Sequence, residues 1–140
     1  MFSLLLWYQA TTSPIIASSS PKLVPDGRFT YSISQERVKD FINTTAQNEG
    51  VPVQLVESIA WAESRFNTDA RNASSTASGV FQMLNSTFKD FCIKKYGLAS
   101  TTDEKNNYTT QTICAVKMIK DGYVSAWNAS KDSWKPLTET

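Results

Sequence analysis

The chain has no histidine. Ser-His and Cys-His nucleophilic pairs and His-containing zinc sites are therefore excluded, and acid–base chemistry falls to carboxylates, Tyr, Lys or Cys. Among the carboxylates, Glu63 stands out by position. The spacing predicts a helix from about Val53 to Arg65, opened by Pro52. On a wheel of 100° per residue, Leu55, Val56, Ile59, Ala60 and Ala62 form one arc, and Gln54, Glu57, Ser58, Trp61 and Arg65 the other. Glu63 falls in the apolar arc, whereas Glu57, on the polar arc, reads as a solvated surface residue. A carboxyl group on a buried helix face is costly to ionise, so its pKa rises. A raised pKa is what a general acid needs to protonate a glycosidic oxygen near neutral pH. The wheel leaves a second reading open, in which Glu63 bends outward at the helix end and pairs with Arg65 or Arg71.

Three short stretches weigh on that choice. Ile59-Ala60-Trp61-Ala62-Glu63-Ser64-Arg65-Phe66-Asn67 resembles the first motif of the soluble-lytic-transglycosylase family, in the lysozyme-like superfamily, where a helix ends in Glu-Ser and an Asn follows. Ser75-Thr76-Ala77-Ser78-Gly79-Val80-Phe81-Gln82-Met83 resembles the second, a Gly-Leu-Met-Gln stretch preceded by small residues. Ala126-Trp127-Asn128-Ala129-Ser130 resembles the third, Ala-Tyr-Asn-x-Gly. Each motif is weak alone, but their joint order is specific. Three positions depart from the pattern: Thr68 stands for Pro, Trp127 for the Tyr whose hydroxyl contacts the catalytic Glu, and Ser130 for Gly. Tyr123, one helical turn before Trp127, offers a hydroxyl in its place.

The resemblance implies a small, all-α or mainly α, lysozyme-like domain with a glycan-binding groove. Glu63 is its catalytic residue, and Ser64, Phe81, Gln82, Met83, Tyr123, Trp127 and Asn128 are its substrate-binding residues. Several of these have plainer roles open to them. Ser64 can cap its own helix as readily as it can face the sugar, and Gln82 can be an exposed helix residue. Gly79 can serve only the loop-to-helix junction. Asn128 can hold the Trp127 loop rather than the ligand. Aromatic rings stack on sugars or fill cores; Trp134 reads as core, Trp127 as groove.

The implied reaction cleaves peptidoglycan between N-acetylmuramic acid and N-acetylglucosamine with one carboxyl, giving a 1,6-anhydro sugar. A hydrolase of the same fold is the runner-up. It needs a second carboxylate, for which Asp69 and Asp90 are the candidates. A non-catalytic glycan-binding module is the rival from another class. The expected partner is the glycan strand of peptidoglycan, and the protein is expected to act on it as a monomer in an extracytoplasmic setting.

Composition agrees with a single domain. A length of 140 residues allows little more, and 41% hydrophobic with 19% charged residues is ordinary for a globular chain. Net charge is +1, with no basic run to suggest nucleic acid or a polybasic membrane patch. The two cysteines, Cys92 and Cys114, form neither a CxxC nor a four-ligand metal set. A disulfide between them is favoured over two buried thiols, and no metal or cofactor is expected.

Residues 1–29 read as a signal or anchor remnant and linker, with Phe2–Tyr8 as a short apolar run that leaves N-terminal membrane association open; residues 30–140 read as the domain. Ser32-Ile33-Ser34-Gln35 fits a capping box opening a helix from about Gln35 to Gln47, stopped at Glu49-Gly50. A third helix is expected from about Val80 to Tyr96, ended by Gly97, and a fourth from Tyr108 to Lys120, ended by Gly122. A helical or turn segment from Tyr123 to Trp134 follows, closed by Pro136. The Asn-x-Ser/Thr triplets at Asn43, Asn72, Asn85, Asn107 and Asn128 read as coincidence in a chain rich in these residues.

Overall fold

A computed structural model describes residues 22–23 and 29–138. The expectation of a signal or anchor remnant over residues 1–29 lies almost wholly outside the described residues. Within that span, β1 (Lys22–Leu23) pairs antiparallel with β2 (Phe29–Thr30), Lys22 opposite Thr30. Among the described residues the remaining elements are helical, with isolated bridges joining Ser78 to Arg71 and Met83.

The first helix, α1 (Ile33–Glu49), begins where its capping box puts it. Ser32 Oγ accepts from the Gln35 backbone N–H at 3.2 Å, and Gln35 Oε1 accepts from the Ser32 N–H at 2.9 Å. Gly50 ends it at φ +72°, turning its N–H onto the Ala46 and Gln47 carbonyls, a left-handed cap that glycine adopts without steric cost. The second helix, α2 (Val53–Ser64), starts after Pro52 and stops abruptly. Arg65 and Phe66 both take positive φ, 56° and 61°, and reverse the chain immediately after Glu63-Ser64.

The expected third helix begins five residues late. Val80–Met83 is a tight turn, closed by paired backbone hydrogen bonds between Ser78 and Met83. Gly79 at φ +86° and Gln82 at φ +48° cannot continue a right-handed helix, and the Phe81 N–H is taken by the Gln111 side chain. Helical structure starts at α3 (Asn85–Thr87) and passes into a π-helical stretch, Phe88–Lys95, which Gly97 follows at φ +62°. The fourth helix, α4 (Tyr108–Lys120), is capped by Asn107, whose Oδ1 accepts from the Thr109 and Thr110 N–H groups. A 3₁₀ segment (Val124–Ser130), the single turn α5 (Lys131–Trp134) and a last 3₁₀ turn (Lys135–Thr138) complete the described chain; Pro136 sits inside that last turn rather than closing the domain.

Helix α1 packs on α2 and α4. Their facing residues Val38, Ile42, Ala46, Val56, Ile59, Ala60, Val116 and Ile119 form one core with Phe81, Phe88, Trp127 and Trp134. Cys92 of the π-helical stretch is bonded to Cys114 of α4, with Cα atoms 5.4 Å apart. Closing a loop of this length restricts the unfolded chain by about 3 kcal/mol. No helix among the described residues is long and apolar enough to cross a membrane.

Candidate active site

Glu63 sits on the last turn of α2, one residue before that helix stops. Its side chain is half-buried, and its carboxyl group receives one side-chain hydrogen bond among the described residues, from Ser130 Oγ to Oε2 at 2.6 Å. Among the described residues no cation pairs with it. Desolvation disfavours the charged form and pushes the pKa up from 4.5 to about 7, with the Ser130 hydrogen bond as the smaller, opposing influence. A group so placed carries a proton near neutrality and can also release it.

Three segments meet around this carboxyl. Ser64 is buried, and its hydroxyl lies 2.7 Å from the Val80 carbonyl and 3.2 Å from that of Ala60, tying the end of α2 to the Gly79–Met83 turn. Trp127 donates its indole N–H to the Phe81 carbonyl at 2.9 Å, tying that same turn to the 3₁₀ segment that carries Ser130. Ser130 then closes the ring on Glu63. The three stretches singled out in the sequence are thus mutually hydrogen-bonded through residues 64, 80, 81, 127, 130 and 63.

The turn is held from beneath by Gln111, fully buried on α4. Its Oε1 accepts from the Phe81 N–H at 2.6 Å, and its Nε2 donates to the Ser78 and Lys105 carbonyls. A Cβ at Gly79 would lie 2.5 Å from Gln111 Nε2. The close approach that requires glycine here is therefore to Gln111. A second buried glutamine, Gln35, reaches from its capping box to donate to the Arg65 carbonyl at 3.0 Å, fixing the chain just past Glu63. Buried Lys105 braces the turn's outer side through Thr76 O and Asn85 Oδ1, and burial, with Arg71 nearby, lowers its pKa.

The other sequence-predicted site residues lie as follows. Phe81, Met83 and Trp127 are buried in the core. Gln82 is half-buried with its amide N–H groups on the Ala70 and Gly79 carbonyls. Asn128 is exposed. Tyr123, 40% exposed, packs edge-on against Phe91 at 4.8 Å, and Lys95 lies over its ring. The hydroxyl on Glu63 thus belongs to Ser130, which sequence reasoning had marked only as a departure from Gly. Trp134 is buried, with its indole N–H on the Trp127 carbonyl. Asp69 and Asp90 are exposed, and neither contributes to the Glu63 shift. Among the described residues no cluster of Cys, Asp or Glu could hold a metal ion. A polar cavity of about 430 Å³ lies between Arg71–Ser78 and Thr102–Asn106, away from Glu63.

Residues 40–137 match the Transglycosylase SLT domain family. The chain belongs to this family. No curated protein and no solved structure matches it significantly. Membership makes the mainly helical fold a lysozyme-like one and peptidoglycan the substrate class, and SLT domains generally act outside the cytoplasm. Gln111 and Ser130 were missed for different reasons. Gln111 had a usable signal, a polar residue on the apolar face of α4, the same signal that exposed Glu63. Ser130 had none, because its partner lies 67 residues away in sequence.

Proposed function

We propose that this SLT domain cleaves the bond joining N-acetylmuramic acid to N-acetylglucosamine with Glu63 as the sole catalytic carboxyl. The observation that carries the reading is a half-buried carboxyl group with no cation on it among the described residues and a pKa raised to about 7. Protonated Glu63 gives its proton to the glycosidic oxygen, and that C–O bond breaks as positive charge develops at the anomeric carbon. The substrate's N-acetyl group stabilises that charge. The muramyl C6 hydroxyl then attacks the anomeric carbon and loses its proton to ionised Glu63. The product is a 1,6-anhydro sugar, no water is consumed, and Glu63 is again protonated. The exposure of Asp69 and Asp90 supports one carboxyl over two. The glycan is expected to lie across the Gly79–Met83 turn and the 123–130 segment, with Gln82, Tyr123 and Asn128 as its most accessible contacts. The Cys92–Cys114 bond fits an oxidising, extracytoplasmic compartment.

The decisive experiment digests purified peptidoglycan and weighs the muropeptides by mass spectrometry. Anhydro ends are expected, one water lighter than reducing ends. Reducing ends alone, with loss of activity in Asp69→Asn or Asp90→Asn, would establish the hydrolase instead. A folded protein that releases no muropeptide while still binding the polymer would establish the binding module.

A further inference from the structure

Ser130 Oγ stands between two acceptors, Glu63 Oε2 at 2.6 Å and the Trp127 carbonyl at 3.2 Å, and a serine hydroxyl has one hydrogen to give. We infer that Ser130 is a positioning residue that follows the charge of Glu63, donating to the carboxylate when the proton has left and releasing it to Trp127 O when the proton returns. This rests on the reading of Glu63 as the acid and base of the reaction.

Three observations support it. The first is length: 2.6 Å falls in the range of an O–H donated to an ionised oxygen, whereas 3.2 Å is long even for neutral groups. The second is that the Trp127 carbonyl does not depend on Ser130. The indole N–H of Trp134 also donates to it at 3.2 Å, so moving the hydroxyl hydrogen leaves no buried acceptor orphaned. The third is rigidity. Ser130 is only 2% exposed, and the backbone on which it rides is held by Trp127, whose indole N–H is fixed to Phe81 O. The hydroxyl can rotate while its oxygen stays in place. The Trp127 side chain itself cannot serve Glu63, because its only donor, the indole N–H, is already used.

The consequence for the reaction is specific. When Glu63 gives its proton to the glycosidic oxygen, a negative charge forms in a site where burial opposes it. A hydroxyl already in place stabilises that carboxylate and also occupies Oε2, leaving Oε1 to carry the proton to and from substrate. Without the hydroxyl, Glu63 holds its proton more tightly and delivers it less readily.

The test is a carboxyl titration of Glu63 by NMR on ¹³C-glutamate-labelled protein, assigned with Glu63→Gln and combined with pH profiles of muropeptide release. In Ser130→Ala the Glu63 midpoint should rise by about one pH unit. The alkaline limb of kcat/KM should rise with it, and kcat should fall roughly 10-fold or more while KM changes little. Ser130→Thr, which keeps the hydroxyl, should restore the parent titration. Should Ser130→Ala fail to fold, Ser130→Gly supplies the same comparison. A hydroxyl that merely braces the Trp127 turn would cost thermal stability and leave the Glu63 midpoint unmoved, and that result overturns the inference. The titration reads the Ser130–Glu63 bond whether or not Glu63 is catalytic. An active Glu63→Gln variant would therefore sink the proposed reaction separately.

Discussion

Glu49 and Glu63 occupy similar places in the chain, at or next to the C-terminal end of α1 and α2, where the helix dipole disfavours a negative charge on both. Their surroundings drive them in opposite directions. Glu49 lies at the surface against two lysines of α4, Lys120 at 3.2 Å and Lys117 at 3.7 Å. The Lys120 hydrogen bond and the Lys117 charge hold its pKa below the ordinary value. Among the described residues Glu63 meets a neutral hydroxyl and no cation, and desolvation raises its pKa to about 7. The first carboxylate is kept charged by local partners on a neighbouring helix face. The second is pushed toward its neutral form by a shelter assembled from α2, the Gly79–Met83 turn and the 124–130 segment. A residue's chemistry here is a property of what the fold brings to it.

The largest effect that separates the two is on turnover. Glu63→Gln keeps the shape and removes both proton transfers, so muropeptide release should fall by at least ~10²–10⁴-fold while circular dichroism shows a folded protein. Glu49→Gln should release muropeptides at the parent rate. Equal losses in both variants would erase the distinction.

The second effect is on stability against pH. The folded pKa of Glu63 lies above its unfolded value near 4.5, so folding is opposed only where the unfolded chain would ionise. No penalty exists below pH 4.5. It grows as pH rises and is complete above about 7, where it reaches roughly 3 kcal/mol. Denaturant melts at pH 4.5 and pH 8 should show Glu63→Gln gaining on the parent by that order at the higher pH. Glu49, with a lowered pKa, has the opposite sign: its contribution is present above the ordinary carboxyl pKa and fades as pH falls.

The third effect attacks the shelter rather than the carboxyl. Gly79→Ala places a methyl group against Gln111 at a left-handed backbone position and should cost about 2 kcal/mol by denaturant unfolding, with activity falling as the turn shifts. An unchanged midpoint would mean that Gln111 yields freely. The smallest effect belongs to the surface pair. Removing Glu49 should move Tm by no more than about 2 °C, and less still in high salt.

The sequence revealed these two environments unequally. Local signals were legible: the Ser32–Gln35 capping box and the Gly50 stop framed α1, and the apolar arc of α2 pointed to Glu63. The start of the third helix was misread because the Val80–Met83 turn is decided by Gln111, about 30 residues downstream, and by a positive φ at Gln82 that its residue type does not announce. Ser130 was invisible as a partner for the same reason. Helical periodicity reports one face of one helix, and a hydrogen bond across 67 residues leaves no trace in it.

The two buried glutamines give the domain an unusual rule of interchange. At positions 35 and 111 the amide must donate as well as accept: Gln35 Nε2 serves Arg65 O, and Gln111 Nε2 serves Ser78 O and Lys105 O. Exchange for glutamate there alters hardly any volume, yet it removes those donors and buries an acid facing carbonyl oxygens. At position 63 the reverse exchange should leave the fold intact and, on the proposed reaction, stop turnover. Descendants of this sequence can therefore drift between Glu and Gln at few interior sites, and the direction in which each exchange fails tells scaffold from chemistry.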